Sequence, residues 1–368
     1  MFGITSLTLG GAERVLIDIA NKLVEEYDIT IFTIYSKGVL EKELNKNIHI
    51  ESIYNKTYKE LSKKEKVIIP LNILFNKKKI FRKYIENKNY DVQIAFLEGP
   101  ITRLFSVKSK SAKVKKIAWV HNDMSKVFGK NIKSKIKRII DRNAYEKYDT
   151  IVFVSRDNLD KFNKVYDDIL LPEEKVIHNY LDSERIIKLS EEKHENIFNI
   201  NEVNILQVSR LVEQKAIDRL IDAHTKLINE GIKHHIYIIG EGPLKQKLEN
   251  KIKENKVEKT FTLLGAKENP YTYMKDCDIF ALFSNFEGYG MVIDEAKILK
   301  KYILVTDTAA KEALEDYPKY SKITENSQSG IENVIKFSVK NKNNILQENI
   351  EYIYTNSKII DKIKKIIE

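Results

Sequence analysis

The sequence predicts an α/β protein with two doubly wound parallel sheets, one in each half of the chain. Three observations carry that expectation. Short apolar runs with strand character alternate with segments of helical period along the whole sequence. The alternation lapses over 183–202, a polar, charged, glycine-free stretch, and then starts again. At 368 residues the chain exceeds what one hydrophobic core comfortably serves. The expected domains are therefore 1–185 and 186–351. An amphipathic C-terminal helix over about 352–368, marked by Ile359, Ile360, Ile363 and Ile366, is expected to pack back on the first domain.

In the first half a short strand leads into Gly10-Gly11 and then a helix carrying Val15, Leu16, Ile19, Ala20 and Leu23 at helical spacing. So few residues precede the glycines that a trimmed start is suggested. Asp28–Tyr35 reads as the second strand, followed by a basic stretch with interleaved apolar residues, 54–88. Asp91–Gly99 is an apolar strand that ends on Glu98. Lys115–Asp123 is another, with His121 at its exit. A helix is expected over 126–140, carrying Lys126, Lys130, Lys133, Lys135, Lys137 and Arg138 and no acid. Thr150–Ser155 and Lys175–Asp182 complete this half.

The second half repeats the pattern: Asn204–Ser209, a helix from about Ala216, His235–Pro243, Thr260–Gly265, Asp278–Ala296 and Tyr302–Thr308. Two such halves would set the carboxyl ends of their strands across a cleft. The richest segment is Asp278–Ala296. An apolar strand, Ile279–Phe283, runs into a turn with Gly288 and Gly290, and a helix opens near Met291. Glu287 stands at the strand exit and Glu295 lies eight residues on. A glycine turn entering a helix presents free N–H groups and a positive dipole end, which suits phosphate. Acids on either side of it suit sugar hydroxyls, a layout that fits a sugar nucleotide. A strand-turn-helix with solvated acids is the other reading of these residues.

Composition narrows the class. With 42% hydrophobic and 32% charged residues the chain is expected to be soluble and globular. No apolar run approaches the ~20 residues that span a bilayer, and no secretory signal pattern opens the chain. The single cysteine, Cys277, excludes an intramolecular disulfide framework and fits a reducing cytoplasm. The net charge of +10 points to nucleic acid or an anionic membrane as partner. With no nucleic-acid module or aromatic stacking motif in view, nucleic acid ranks last.

Five motifs in order, Gly10–Arg14 (GGAER), His121 after a strand, Ser209–His224 (SRLVEQKAIDRLIDAH), Gly240–Leu244 (GEGPL) and Glu287–Glu295 (EGYGMVIDE), resemble the retaining GT-B glycosyltransferases of family 4. The resemblance runs the length of the chain. It implies two Rossmann-like domains facing a central cleft, with acceptor bound by the N-terminal half and donor by the C-terminal half. The implied reaction is transfer of a hexosyl or N-acetylhexosaminyl group from a nucleotide-diphosphate sugar, UDP being the expected nucleotide. The implied acceptor is a glycan or lipid-linked glycan of bacterial surface polysaccharide.

The resemblance also assigns residues. Arg210 and Lys215 would neutralise the leaving diphosphate, Glu287 would grip the transferred sugar, and His121 would hold that sugar and polarise the site. Glu295 would accept from the ribose hydroxyls. Ser209, Gly240, Gly265, Lys267, Tyr289, Gly290, Met291 and Val292, with Gly10 and Gly11, would complete the donor site. Glu98, Arg103, Asn122 and Asp123 would meet the acceptor. No cofactor or metal is implied. Asp276-Cys277-Asp278 has a metal-binding spacing but stands before its strand, at the amino edge. Ala216, Tyr180 and Lys300-Lys301-Tyr302 depart from the family pattern at backbone and packing positions. A sugar-nucleotide epimerase or hydrolase on the same fold, and a non-catalytic partner subunit, are the alternatives. The lysine-rich stretches 56–88 and 126–138 are expected to rest on an anionic membrane, placing the protein at the inner face of the cytoplasmic membrane.

Overall fold

Strands that are apolar at successive positions, rather than alternately, need cover on both faces, and parallel sheets wrapped by helices supply it. The computed structural model has two such sheets. It describes residues 1–8, 10–110, 113–129, 131–166, 173–347, 349–355 and 357–368. Lys130, one of the cations of the expected basic helix, lies outside them. The chain divides into two units. One is Met1–Leu181 together with the C-terminal helix, and the other is Asp182–Thr355.

The first unit runs β1 (Phe2–Ile4), α1 (Gly11–Leu23), β2 (Thr30–Tyr35), β3 (His49–Tyr54), α2 (Lys63–Tyr84), β4 (Val92–Ala95), α3 (Pro100–Phe105), β5 (Lys115–Val120), α4 (Met124–Val127), α5 (Ile132–Tyr145), β6 (Thr150–Phe153), α6 (Arg156–Val165) and β7 (Glu174–Val176). Its seven strands are ordered β3-β2-β1-β4-β5-β6-β7, all parallel. Its core is aromatic, with Phe32, Phe81, Phe105, Trp119, Phe153 and Phe162 all essentially unexposed. The basic helix expected over 126–140 is instead two helices. Asp123 caps α4 and Asn131 caps α5, accepting from Ser134 N, and Gly129 stands in the break. Two N-cap residues eight apart start two helices where charge alone suggested one.

The second unit runs α7 (Ser183–Ser190), β8 (Val203–Val208), α8 (Ile217–Asn229), β9 (His234–Ile239), α9 (Lys245–Glu254), β10 (Phe261–Gly265), α10 (Tyr271–Asp276), β11 (Ile279–Leu282), α11 (Met291–Ile298), β12 (Tyr302–Thr306), β13 (Ser321–Thr324), α12 (Gln328–Lys340) and α13 (Lys342–Gln347). Its sheet is ordered β10-β9-β8-β11-β12-β13, again all parallel. The last helix, α14 (Ser357–Ile367), belongs with the first unit. It buries Ile360, Ile363 and Ile366, and Lys364 bonds Glu26 at the end of α1.

Each sheet reverses its strand order beside its first strand, between β1 and β4 and between β8 and β11. The loops leaving those strands at the carboxyl edge diverge there and leave room for a ligand. That geometry sets the β1–α1 loop beside the β4–α3 loop in one unit, and the β8–α8 loop beside the β11–α11 loop in the other.

A buried histidine chain ties α8 to β9 and β10. His234 Nδ1 lies 2.8 Å from the Ile232 carbonyl, His224 Nδ1 lies 2.9 Å from His234 Nε2, and His224 Nε2 lies 2.9 Å from Thr260 Oγ1. A carbonyl only accepts, so His234 carries its proton on Nδ1 and accepts on Nε2. His224 then donates from Nδ1 and accepts the Thr260 hydroxyl. Both rings must be neutral. Burial lowers His224 to about 2, with the neighbouring histidines adding to the effect, and lowers His234 to about 4. The unfolded rings titrate near 6.5, so below that pH the unfolded chain binds more protons. Stability is therefore complete above pH 6.5 and lost as pH falls toward 4. At pH 5 each ring is expected to subtract about 2 kcal/mol. Urea midpoints should fall between pH 7 and pH 5, and His224→Leu with His234→Leu should flatten that slope; an unchanged slope refutes the account.

Candidate active site

Three carboxyl-edge loops of the second unit are joined backbone to backbone. Ser209 N donates to Ile239 O (2.9 Å), Leu211 N to Glu241 O (3.0 Å) and Gly240 N to Gly265 O (2.9 Å). Gly240 makes this possible. Its φ is +146°, and a Cβ there would stand 2.0 Å from Ser209 O. Ser209, Gly240 and Gly265, named as donor contacts from the sequence, thus form one continuous patch of main chain.

A second seam joins the loops after β8 and β11. Lys215, ending a short 3₁₀ turn (Glu213–Lys215), donates from Nζ to Glu287 Oε1 at 2.5 Å, with only 14% and 6% of the two side chains exposed. Asn285 N donates to Gln214 O, Gln214 Nε2 to Phe286 O, and Asn285 Nδ2 to Glu213 O. Ala216, buried behind Lys215, takes a left-handed φ of +46°. This is why glycine suits that position, and an alanine there carries some strain. Arg210 is exposed at the exit of β8.

Gly290 ends the β11 loop and precedes α11, whose first turn has no side-chain cap. The Met291 and Val292 N–H groups sit at that open, positive end. One turn in, Glu295 is 7% exposed and its Oε1 accepts from the Tyr271 hydroxyl at 3.1 Å. Arg185 lies over the Tyr271 ring, 6.0 Å from its centroid. Burial, with Glu295 adding to it, raises the Tyr271 phenol far above its ordinary range, so it stays a donor. Arg185 and Tyr271 went unnoticed in the sequence. They come from α7 and α10, short helices with no motif, and only tertiary packing sets them beside Glu295. Two assigned side chains serve other ends. The Tyr289 phenol is buried against Asp294, which leaves its main chain to meet a ligand, and Lys267 lies over the Tyr273 ring at 5.5 Å. Asp278 accepts from Asn204 N and Nδ2 at the amino edge, so it is an internal bond of the sheet.

In the first unit the carboxyl edge is organised by Glu98. Its carboxylate accepts from His121 N (2.5 Å), Asn122 N (2.7 Å) and Asn122 Nδ2 (3.0 Å). Burial raises its pKa, with the three N–H groups pulling the other way. The His121 ring packs at 4.8 Å from Phe96, and burial lowers its pKa to about 3, so the ring is neutral. Its Nε2 is buried with no partner among the described residues. Asn122 is exposed. Gly11 opens α1 with Gly10 as an N-cap lacking any side-chain bond, and the Glu13 carboxylate lies against Gly10. Like Glu98, two more residues expected to meet the acceptor are engaged internally. Arg103 Nε donates to Asp141 at 2.5 Å, locking α3 to α5, and Asp123 caps α4 and pairs with Lys161 at 2.8 Å.

Residues 190–354 match the family model described as glycosyl transferases group 1. An uncharacterized glycosyltransferase of Methanocaldococcus jannaschii is 26% identical over 324 residues, covering 82% of this chain and 76% of its own. A Campylobacter jejuni enzyme, N-acetylgalactosamine-N,N'-diacetylbacillosaminyl-diphospho-undecaprenol 4-alpha-N-acetylgalactosaminyltransferase, is 28% identical and covers 62% of this chain and 60% of its own. Among solved structures, Anabaena HepE in complex with UDP and glucose superposes with a TM-score of 0.75 at 19% identity, over 99% of this chain and 97% of that one. Staphylococcus aureus TarM gives 0.72 at 15% identity, over 100% and 98%. Taken with the two parallel sheets, these likenesses show the GT-B fold and support a glycosyltransferase whose residues 190–354 match the glycosyl transferases group 1 model.

Proposed function

We propose that the chain is a retaining, family 4 enzyme that moves a hexosyl or N-acetylhexosaminyl group from a UDP-sugar to a glycan or lipid-linked acceptor of bacterial surface polysaccharide. The buried Lys215–Glu287 pair carries this reading, because it puts a cation and an acid side by side where two adjoining loops would receive a diphosphate and its sugar. Departure of UDP leaves growing charge on the β-phosphate, and Lys215 with Arg210 neutralises it where other folds use a metal. The first-turn N–H groups of α11 serve the same phosphates. Glu287 holds the transferred sugar and Glu295 the ribose. His121, being neutral, offers Nε2 as an acceptor to a sugar hydroxyl. The acceptor oxygen attacks the anomeric carbon on the face that UDP leaves, and the leaving phosphate oxygen takes the acceptor's proton. Support for UDP comes from the HepE and TarM complexes that contain it. Support for the acceptor class comes from the Campylobacter relative's diphospho-undecaprenol substrate.

A thermal-shift screen of nucleotide sugars tests the donor, and a transfer assay on any hit tests the reaction. The expected hit is a UDP-sugar. No shift with any nucleotide sugar overturns the reading, and acceptor-independent isomerisation of the donor would make it an epimerase. Glu295→Gln should raise the donor KM about 10- to 100-fold with kcat little changed, since the ribose is gripped equally in ground and transition states. A fall confined to kcat would misplace Glu295.

A further inference from the structure

We propose that Gln207 is a positioning residue that aims the Ser209 hydroxyl at the diphosphate of the donor. This role rests on the nucleotide-sugar reading proposed above. β8 and β11 are neighbours in the sheet, yet their paired register is short, Ile205 and Leu206 against Ile279 and Phe280. β8 stays paired with β9 as far as Val208, and β11 with β12 as far as Leu282. The two strands therefore fork just before their carboxyl ends, at the point where the strand order reverses. Gln207 fills the fork. Its side chain is wholly buried, and its Oε1 accepts from Phe283 N at 3.0 Å, a main-chain donor that the parted strands leave without a backbone partner.

That contact fixes which way round the amide lies. A backbone N–H only donates, so the oxygen end of Gln207 faces Phe283. The nitrogen end faces along β8, where Nε2 donates to Ser209 Oγ at 3.1 Å. Ser209 is thus the acceptor, and its own proton is left over. Its Oγ makes no other hydrogen bond among the described residues, and the residue is half-buried at the strand exit beside Arg210. A hydroxyl held as an acceptor on one side is a preset donor on the other, and a phosphate oxygen is the strong acceptor proposed to enter this crevice. The bonds then run head to tail, from Phe283 N–H to Gln207, from Gln207 to Ser209 and from Ser209 to phosphate, so each polarises the next. The same side chain steadies the exit of β11, four residues before Glu287. It does so without burying a charge, whereas Lys215 is held by the Glu287 carboxylate.

UDP uptake is measured by isothermal titration calorimetry on the unaltered chain, on Ser209→Ala, on Gln207→Met and on the double variant, with thermal midpoints alongside. Ser209→Ala should raise the UDP Kd about 10- to 100-fold, the range for one hydrogen bond to a charged group, and change the midpoint little. Gln207→Met should raise the Kd about tenfold and also lower the midpoint, since Phe283 N loses its acceptor. The double variant separates the two consequences. In the Ser209→Ala background there is no hydroxyl to aim, so Gln207→Met should raise the Kd less than about threefold further while lowering the midpoint as before. An equal rise in Kd in both backgrounds makes Gln207 a prop for the loops alone and overturns the proposal. So does unchanged UDP binding by Ser209→Ala. An unaltered chain that takes up no UDP overturns the UDP-donor reading and this role together, so the two failures are told apart.

Discussion

Lys215→Ala is expected to reduce turnover by about 10²- to 10³-fold, the size seen when one preorganised group opposite a developing charge is lost. Its effect on stability should also be large. The pair is mostly buried, and deleting one member leaves Glu287 as an uncompensated carboxylate, a loss of about 3–5 kcal/mol. The two effects separate in a double variant. Lys215→Met with Glu287→Gln removes both charges, and neutral replacement of a buried pair is often close to neutral in stability. The double variant should recover most of the thermal midpoint and none of the turnover. Recovery of both would mean the pair only fastens the β8 loop to the β11 loop, and the catalytic assignment would fall.

The fold was legible because the strands are buried on both faces. Apolar runs such as Ile279–Phe283 and Asn204–Ser209 stand out against helices of 3.6-residue period, and the break before residue 203 exposes the repeat. What escaped depends on local caps or distant packing. Asp123 and Asn131 each start a helix within a stretch that charge alone presents as one. Helix α7 lies in the polar stretch read as a boundary, and from it Arg185 reaches Tyr271. The carboxylates were visible by their spacing, but their partners were not. That Glu287 meets Lys215, Glu295 meets Tyr271, and Glu98 meets two backbone amides follows from strand order, which no local pattern encodes. Arg103 shows the converse: its position suggested an acceptor contact, yet the approach of α5 supplies Asp141.

Gly240→Ala should be the most damaging single-methyl change in the second unit. The position combines two obstacles that usually occur apart. Its φ of +146° is one an L side chain rarely adopts, and the new Cβ would stand 2.0 Å from the Ser209 carbonyl oxygen, which is backbone and cannot rotate away. Relief requires the β8 and β9 loops to part, breaking Gly240 N to Gly265 O and Ser209 N to Ile239 O, the bonds that hold three loops in register. Gly231 is the control. Its φ of +78° is also left-handed, but nothing lies within 4 Å of a Cβ there, and it sits in the α8–β9 turn at the other edge of the sheet. Gly231→Ala should cost about 1–2 kcal/mol, the conformational part alone, and keep the donor-induced thermal shift. Gly240→Ala should cost at least about 3 kcal/mol and abolish that shift even well below its own unfolding midpoint. The difference between the two variants measures the steric contact together with the added strain of the wider φ at Gly240. Equal losses, with donor binding intact in both, would mean that the joined loops are scaffold alone and that the donor is held elsewhere.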